Sequence, residues 1–149
     1  EETRASKIAD PDRETFWHRM GDLGYRDALG RIWFCGRKAE RVVPADGPAL
    51  YTDCCEAIVN RHPRVFRSAL IGLGEPGSAI PAVVVEPEAG AWPGSRRAAA
   101  RFRSEILDRL RESETTRGIS RVFFARRFPV DVRHNAKIHR LTLKRKFDR

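Results

Sequence analysis

Apolar residues recur along this chain at two different spacings, which predict both helices and strands. Between residues 96 and 114 they fall three and four positions apart, so they would line one face of an amphipathic helix. Residues 65–73 and 80–86 are rich in β-branched and apolar side chains, which is typical of core strands. The segment 74–77 between them has two glycines and a proline and predicts the turn that joins the two strands.

Shorter elements are predicted on either side of this core. The turn signal at 27–30 has Gly30 at a position that needs a positive φ, and residues 31–35 follow as the second strand of a β-hairpin. Residues 52–61 predict a short helix with Thr52 as its N-cap. The remaining predictions are a strand at 120–125, a terminal helix at 137–146, and a linker or the tail of a preceding element at 1–15. Together they predict an α+β fold, in which a β-hairpin precedes a small, mostly antiparallel sheet with flanking helices.

Length and composition fit a globular, domain-sized chain. Of the 149 residues, 41% are hydrophobic and 33% are charged. No apolar run approaches the roughly 20 residues of a membrane helix, and the N-terminus lacks the basic-then-apolar pattern of a signal peptide. The three cysteines form no C-x-x-C and the four histidines have no zinc spacing. We therefore expect a reduced, cytoplasmic protein with no metal ligands in this chain.

The net charge of +9 is unevenly distributed. Residues 96–149 hold 17 Lys and Arg against 6 Asp and Glu, whereas residues 1–95 hold 12 against 14. A basic half of this kind is typical of a surface that faces phosphates, although a solvated arginine-rich surface would have the same composition. Nucleic-acid binding is thus one alternative. Against it, no RNA-binding signature occurs, and aromatic pairs such as Trp33-Phe34 lie in apolar runs rather than among basic residues.

Two polar clusters around the predicted hairpin could bind a ligand. Asp22, which follows Gly21, could bind both hydroxyls of a ribose, or it could simply close a turn. Arg37, at the end of the hairpin, could meet a phosphate or ribose oxygen with its planar guanidinium, or it could be solvated together with Lys38.

Two further clusters lie later in the chain. The loop that contains Gly47 leads into the helix that carries Glu56, which helix capping alone would explain. Lys137 follows Asn135 and the small residue Ala136, which would let the backbone approach a ligand closely. Its ordinary alternative is a surface lysine.

The order and spacing of these clusters resemble the C-terminal subdomain of adenylate-forming enzymes, the superfamily of acyl-CoA synthetases, luciferases and nonribosomal adenylation domains. Met20-Gly21-Asp22 resembles the family's Thr-Gly-Asp, and Asp27-x-x-Gly30 with Gly36-Arg37 resembles its D-x-x-G-(x)5-G-R. The other three matching motifs are Gly47-x-x-Leu50-x-Thr52-x-Cys54-Cys55-Glu56, His62-Pro63-x-Val65 and Asn135-Ala136-Lys137-Ile138-x-Arg140.

The resemblance implies an enzyme that activates a carboxylic acid with ATP and Mg²⁺. Lys137 would be the catalytic lysine, Asp22 would bind the ribose hydroxyls of ATP, and Arg37 would contact ATP as well. Lys38 and Ala39 would form the interdomain hinge, where the family normally has Asp or Lys at the position of Ala39. The remaining motif residues, with structural roles, would be Gly47, Glu56, Asn135 and Arg140.

The resemblance also implies a division of the chain. Residues 1–36 would be the end of an N-terminal domain with the hairpin that leads to the hinge, and residues 37–149 would be a C-terminal catalytic lid. The family's phosphate-binding loop does not occur in the sequence, so the large N-terminal domain that binds ATP and the acyl group would be absent from this chain and would be its main partner. We expect the chain alone to be inactive.

Within the superfamily, the residues that fill these motifs resemble those of the β-lactone-forming branch of bacterial olefin biosynthesis. That branch implies a long-chain β-hydroxy fatty acid as substrate, and other olefin-pathway enzymes as possible partners. A long-chain acyl-CoA ligase is the alternative within the superfamily. A non-catalytic interaction domain is the alternative outside it.

Overall fold

The computed structural model describes residues 6–131 and 137–148. Its strands are β1 (Lys7–Ala9), β2 (Phe16–His18), β3 (Asp22–Arg26), β4 (Ile32–Arg37), β5 (Val65–Leu73), β6 (Ile80–Pro87) and β7 (Arg121–Phe124). Its helices are α1 (Thr52–Asn60), α2 (Arg96–Arg111) and α3 (Arg140–Phe147), with a 3-10 turn at Lys38–Glu40. The predicted α+β fold with a preceding hairpin is confirmed.

A three-stranded sheet forms the centre of the fold, with β6 between β5 and β7. The pairing of β5 with β6 is antiparallel, and their glycine-containing connection reverses the chain as predicted. The pairing of β6 with β7 is parallel. A parallel pair needs a crossover connection, and α2 supplies it.

Helices cover both faces of this sheet, because successive side chains of a strand point to opposite sides. On one face, Val83 and Val85 of β6 belong to a core with Phe102 and Ile106 of α2 and with residues of α1. On the other face, Val84 packs in a second core that includes residues of α3. Burial on both faces explains why β5 and β6 are almost continuously apolar in sequence.

Several local predictions differ from the structure. The segment 1–15, predicted as a linker or the tail of a preceding element, contains β1, which pairs with β2 in an antiparallel hairpin. Thr52 is the first residue of α1 rather than its N-cap, and its hydroxyl donates to Asp53 Oδ2 at 3.2 Å. The terminal helix begins at Arg140, three residues later than predicted, and α2 ends at Arg111 rather than at residue 114.

The first part of the chain has no core of its own. None of the described residues from 6 to 34 is buried. The two hairpins and the segment between them instead expose large apolar side chains, among them Trp17, Met20, Ile32 and Phe34, which are 65%, 72%, 82% and 55% exposed. Burial begins at Cys35, at the end of the second hairpin.

Candidate functional site

Asp22 and Arg37 are directly opposite each other on the β3–β4 hairpin. The antiparallel register pairs the two residues, and the amide of Lys38 donates to the carbonyl of Gly21 at 2.8 Å. Arg37 Nε lies 3.9 Å from Asp22 Oδ1, and the side chains are 59% and 41% exposed. At this separation the pair is too long for a hydrogen bond. Both side chains therefore keep most of their hydrogen-bonding capacity for a ligand.

Gly36 lets the end of β4 lie against the first turn of α1. Its φ is +115°, and a Cβ there would lie 2.2 Å from Thr52 Oγ1 and 2.8 Å from Asp53 Oδ2. Any other residue would be strained at this φ and would also collide with α1. The glycine of the Gly-Arg motif thus brings Arg37 next to Asp53.

Lys137 and Arg37 line the same cavity, although they are far apart in sequence. The cavity has a volume of about 300 Å³ and is completed by Phe34, Glu40, Asp53, Ile138 and Arg140. Lys137 is exposed, so its ammonium group is accessible from solvent. The cavity therefore collects three cations and two carboxylates at the end of β4.

Backbone hydrogen bonds fix the position of Lys137 at the base of its loop. The carbonyl of Lys137 accepts from the amide of Asp131 at 3.0 Å, and the amide of His139 donates to the carbonyl of Pro129 at 2.8 Å. Val130 and Ile138 form an isolated antiparallel bridge at the same point. Asn135, another residue of the predicted motif, lies outside the described residues.

Arg140 connects the segment that follows Lys137 to two other parts of the fold. Its Nε donates to Glu40 Oε2 at 2.9 Å, and its Nη2 donates to Glu56 Oε2 at 3.1 Å. Glu56 Oε1 also accepts from the amide of Leu70 at 2.7 Å. Burial raises the pKa of Glu56, while Arg140 and the Leu70 amide oppose that rise because they stabilise the carboxylate. The guanidinium thus binds the 3-10 turn and α1 at once.

The predicted hinge residues form the 3-10 turn between the hairpin and the rest of the chain. Ala39 is exposed, and with Lys38 and Arg37 it lines a second cavity of about 460 Å³. The carbonyl of Lys38 accepts from Arg41 Nη1 at 2.7 Å. Since Ala39 has no polar side chain, it forms no side-chain hydrogen bond that would fix the turn in this conformation.

Gly47 has a φ of +93° in the loop before α1, as a glycine-dependent turn requires. This loop is closed by two hydrogen bonds between Val42 and Leu50, at 2.9 and 2.8 Å. Gly47 does not line the cavity of Lys137, and no atom lies within 4 Å of a Cβ built on it. Its role in the structure is to turn the chain.

Two charged residues of the cavity were missing from the sequence prediction, Glu40 and Asp53. Asp53 follows the predicted helix start, but nothing in the local pattern indicates that β4 would end against it. Glu40 contacts Arg140 across 100 residues of sequence, so local periodicity could not reveal the pair.

The described residues contain no group of three or more His, Cys, Asp or Glu that could hold a metal ion. A Mg²⁺ ion prefers several oxygen ligands, whereas this cavity has two carboxylates among three cations, and Glu40 is already paired with Arg140 at 2.9 Å. The donor set described here therefore does not fit a metal site. Within the described residues, no helix is long and apolar enough to cross a membrane.

Comparison with known proteins identifies relatives of this chain, although no protein-family model matches it. The chain is 47% identical over 145 residues to an olefin beta-lactone synthetase of Xanthomonas campestris, covering 93% of this chain and 25% of that protein. It is 44% identical over 123 residues to the olefin beta-lactone synthetase of Stenotrophomonas maltophilia, covering 83% and 21%. It is 39% identical over 89 residues to a sulfoacetate–CoA ligase of Cupriavidus necator, covering 56% and 17%. The chain thus spans about a quarter or less of the length of these relatives.

Solved structures share the fold at low sequence identity. An anthranilate CoA ligase in complex with anthranoyl-AMP has a TM-score of 0.75 at 21% identity, covering 98% of this chain and 26% of that one. An amide bond synthetase from Marinactinospora thermotolerans has a TM-score of 0.72 at 21% identity, covering 98% and 27%. In each case this chain corresponds to a C-terminal piece of the larger protein.

Proposed function

We propose that this chain is the lid domain, with its hinge, of an enzyme that activates a carboxylic acid with ATP. The proposal starts from the similarity of the chain to the C-terminal part of adenylate-forming enzymes. One observation carries the proposal. Asp22, Arg37 and Lys137 come from β3, β4 and the loop before α3, yet Asp22 faces Arg37, and Arg37 lines one cavity with Lys137.

The arrangement suits a reaction between two anions. In the first step, a carboxylate oxygen attacks the α-phosphorus of ATP, and pyrophosphate leaves as the acyl-adenylate forms. The Lys137 ammonium group would stabilise the negative charge that develops on the bridging and phosphoryl oxygens. Arg37 would donate to a phosphate or ribose oxygen, and Asp22 would accept hydrogen bonds from the ribose hydroxyls. Mg²⁺ would be held mainly by a part of the enzyme beyond these residues.

We propose the predicted division of the chain on the same basis. The part assigned to another domain, residues 1–36, contains the two hairpins that expose large apolar side chains. Exposed apolar patches of this kind mark surfaces that pack against something else. An N-terminal domain that binds ATP and the acyl group would cover them. Residues 37–149 contain both cores and would move as one lid about Lys38 and Ala39.

For the second step, we propose that the β-hydroxyl of a long-chain β-hydroxy fatty acid attacks its own acyl carbon. AMP leaves, the hydroxyl proton is lost and a β-lactone ring closes. The names of two relatives, which cover 93% and 83% of this chain, support this product. Ala39 supports it too, because a hinge without polar side-chain contacts fits an enzyme that admits no bulky external thiol.

An acyl-CoA ligase is the second candidate, in which the thiol of CoA attacks the acyl-adenylate. The similarity to a CoA ligase over 56% of this chain favours it. The two candidates share the first step and differ only in the nucleophile of the second, so the product distinguishes them.

The test uses the full protein that carries this chain, incubated with ATP and a long-chain β-hydroxy acid, with and without CoA. Mass spectrometry and NMR identify the product. A lactone with AMP, formed without CoA, supports the β-lactone proposal, and a thioester formed only with CoA supports the ligase. AMP release in neither condition refutes both.

A matched pair of lysine variants tests the role of the site. We expect Lys137→Ala to slow acyl-adenylate formation by about 10²–10³, the usual effect of removing one preorganised charge contact. Lys146→Ala removes an exposed lysine that does not line the cavity, and it should leave this rate unchanged. Equal rates in the two variants would contradict the assignment of Lys137.

A further inference from the structure

Glu86 is a buried carboxylate at the end of β6 that has no part in the reaction steps described above. The residue is only 7% exposed, and the antiparallel register places it opposite Arg67 of β5. Arg67 Nε donates to Glu86 Oε2 at 2.8 Å. A buried charge is costly unless it is paired and hydrogen-bonded, so Glu86 and its partners are held together.

The second partner of Glu86 is the backbone that leads to Lys137. The amide of Phe128 donates to the same oxygen, Glu86 Oε2, at 2.8 Å, in a buried hydrogen bond that spans 42 residues of sequence. Pro129 follows and has no amide hydrogen to donate. The amide of Phe128 therefore ties the chain to β6 just before the loop that carries Lys137.

Phe128 is coupled to Lys137 through the base of this loop. Val130, two residues after Phe128, forms the antiparallel bridge with Ile138, which follows Lys137 directly. The ring of Phe128 is buried in the same core as Leu143 of α3, and Val130 and Ile138 pack against that core. A shift of Phe128 would therefore also displace Lys137.

Arg67 fixes the orientation of the carboxylate that Phe128 binds. Besides donating to Glu86, its guanidinium carbon lies 5.3 Å from the centroid of the Phe128 ring. Hydrogen bonds that involve an ionised group are about twice as strong as neutral ones. The ionised carboxylate of Glu86 is thus held by Arg67 in the position that accepts from the Phe128 amide.

We propose that Glu86 is a positioning residue for Lys137 and acts through the amide of Phe128. This inference rests on the proposed role of Lys137 in acid activation. Glu86 does not line the cavity of Lys137, so it lies outside the site where ATP and the acid would react. It fixes the base of the loop and thereby the place at which the ammonium group of Lys137 meets the reacting oxygens.

The test measures ATP–pyrophosphate exchange over a range of ATP concentrations, in the full protein that carries this chain. Glu86→Met removes the acceptor and the charge at a similar side-chain length. We expect an exchange rate about 10–10²-fold lower, since a misplacement of about 1 Å can cost about 10² in rate. The KM for ATP should change little, because Asp22 and Arg37 would still hold the nucleotide. Glu86→Gln keeps an oxygen that can accept from the Phe128 amide, so it should retain most of the rate.

A double variant separates positioning from a general loss of folded protein. If Glu86 acts through Lys137, Glu86→Met should slow the Lys137→Ala protein no further, whereas a loss of folded protein would slow both backgrounds equally. Glu105→Met is the matched control, because this carboxylate of α2 binds Arg64 and does not line the cavity of Lys137. It should leave the rate unchanged. Equal rates in Glu86→Met and Glu105→Met, or equal slowing in both backgrounds, would overturn the proposal.

Amide hydrogen exchange on peptides from residues 125–131 gives a readout that needs no activity. We expect the Phe128 amide to exchange about tenfold faster in Glu86→Met, because its buried acceptor is gone, and at the unmodified rate in Glu105→Met. Unchanged exchange at Phe128, in a protein that forms acyl-adenylate, would refute the positioning role alone. Faster exchange at Phe128, in a protein whose unmodified form makes no acyl-adenylate, would refute the acid-activating function and with it any catalytic purpose of this attachment.

Discussion

The contact of Arg140 with Glu56 gives the sharpest prediction for the support of Lys137. The perturbation is Glu56→Gln, which keeps the size of the side chain and an oxygen that can accept from the Leu70 amide. It removes the charge that faces Arg140, whose side chain is only 16% exposed. The guanidinium would then be left with Glu40 as its one described carboxylate partner.

The expected magnitude follows from this geometry. Removing one partner of a buried ion pair costs about 3–5 kcal/mol, because the other charge stays buried without compensation. Glu40 remains 2.9 Å from Arg140 Nε and offsets part of that cost, so we expect the lower end, about 3 kcal/mol. A change of this size raises the population of the locally opened state by about 10²-fold.

Amide hydrogen exchange, read by mass spectrometry on peptides from α3, measures this local opening. This helix has eight residues, of which only Leu143 is buried, so Arg140 supplies much of its attachment. We expect α3 to exchange about 10²-fold faster in Glu56→Gln than in the unmodified protein. The amides of α2, which has its own buried face, should change little.

The matched control is Glu114→Gln, since the Glu114 side chain is 90% exposed and 3.6 Å from Arg117. Exposed ion pairs contribute about 0–1 kcal/mol, so this variant should exchange like the unmodified protein. If α3 exchanges at the same rate in both variants, the ion pair does not hold the helix, and its proposed support of Lys137 is wrong.

Three further predictions concern other parts of the chain. Gly36→Ala should lower the free energy of unfolding by about 1–3 kcal/mol, measured by urea denaturation, and by more than Gly47→Ala does. Both glycines have a positive φ, but only at Gly36 would the added Cβ collide with Thr52. Ala39→Pro, measured in the separate half-reactions, should impair acyl-adenylate formation and lactone formation unequally, because a hinge would serve the two steps differently. An equal loss of both would contradict the proposed hinge. Burial lowers the pKa of His62 below 6.5, so stability should be lost as the pH falls from 6.5 through that lower value. Urea titrations at several pH values should show that the free energy of unfolding falls more steeply with falling pH in the unmodified protein than in His62→Gln. Equal pH dependence in the two proteins would refute the assignment to His62.

The sequence predicted those elements whose side chains repeat with a clear period. The apolar face of α2 and the runs of β5 and β6 were found because burial dictates their spacing. The start of α1 was misjudged by one residue, because Tyr51 precedes the helix without a side-chain cap and the Thr52 hydroxyl donates to Asp53 instead of capping. The β1–β2 hairpin was missed because its strands have three residues each and no buried position.

The candidate site was also only partly predictable from the sequence. The pairing of Asp22 with Arg37 follows from the register of a hairpin whose turn at Gly30 is readable in the sequence. The shared cavity of Arg37 and Lys137 requires β4 and the loop before α3 to meet, and no local pattern contains that information. Only motif order, through the resemblance to adenylate-forming enzymes, connected these residues before the fold was known.

The polar contacts around the site fall into two groups, one on each side of Ala39. Around Lys137, Arg140 binds Glu40 and Glu56, and all three residues follow Ala39 in the chain. On the other side of Ala39, the hairpin has the backbone bond from Lys38 to Gly21 and the 3.9 Å pair of Asp22 and Arg37. Rotation of a lid about Ala39 would keep the polar contacts on both sides and would break the packing of Gly36 on α1. The lysine would keep its position within the lid, while the distance from Lys137 to Arg37 would change.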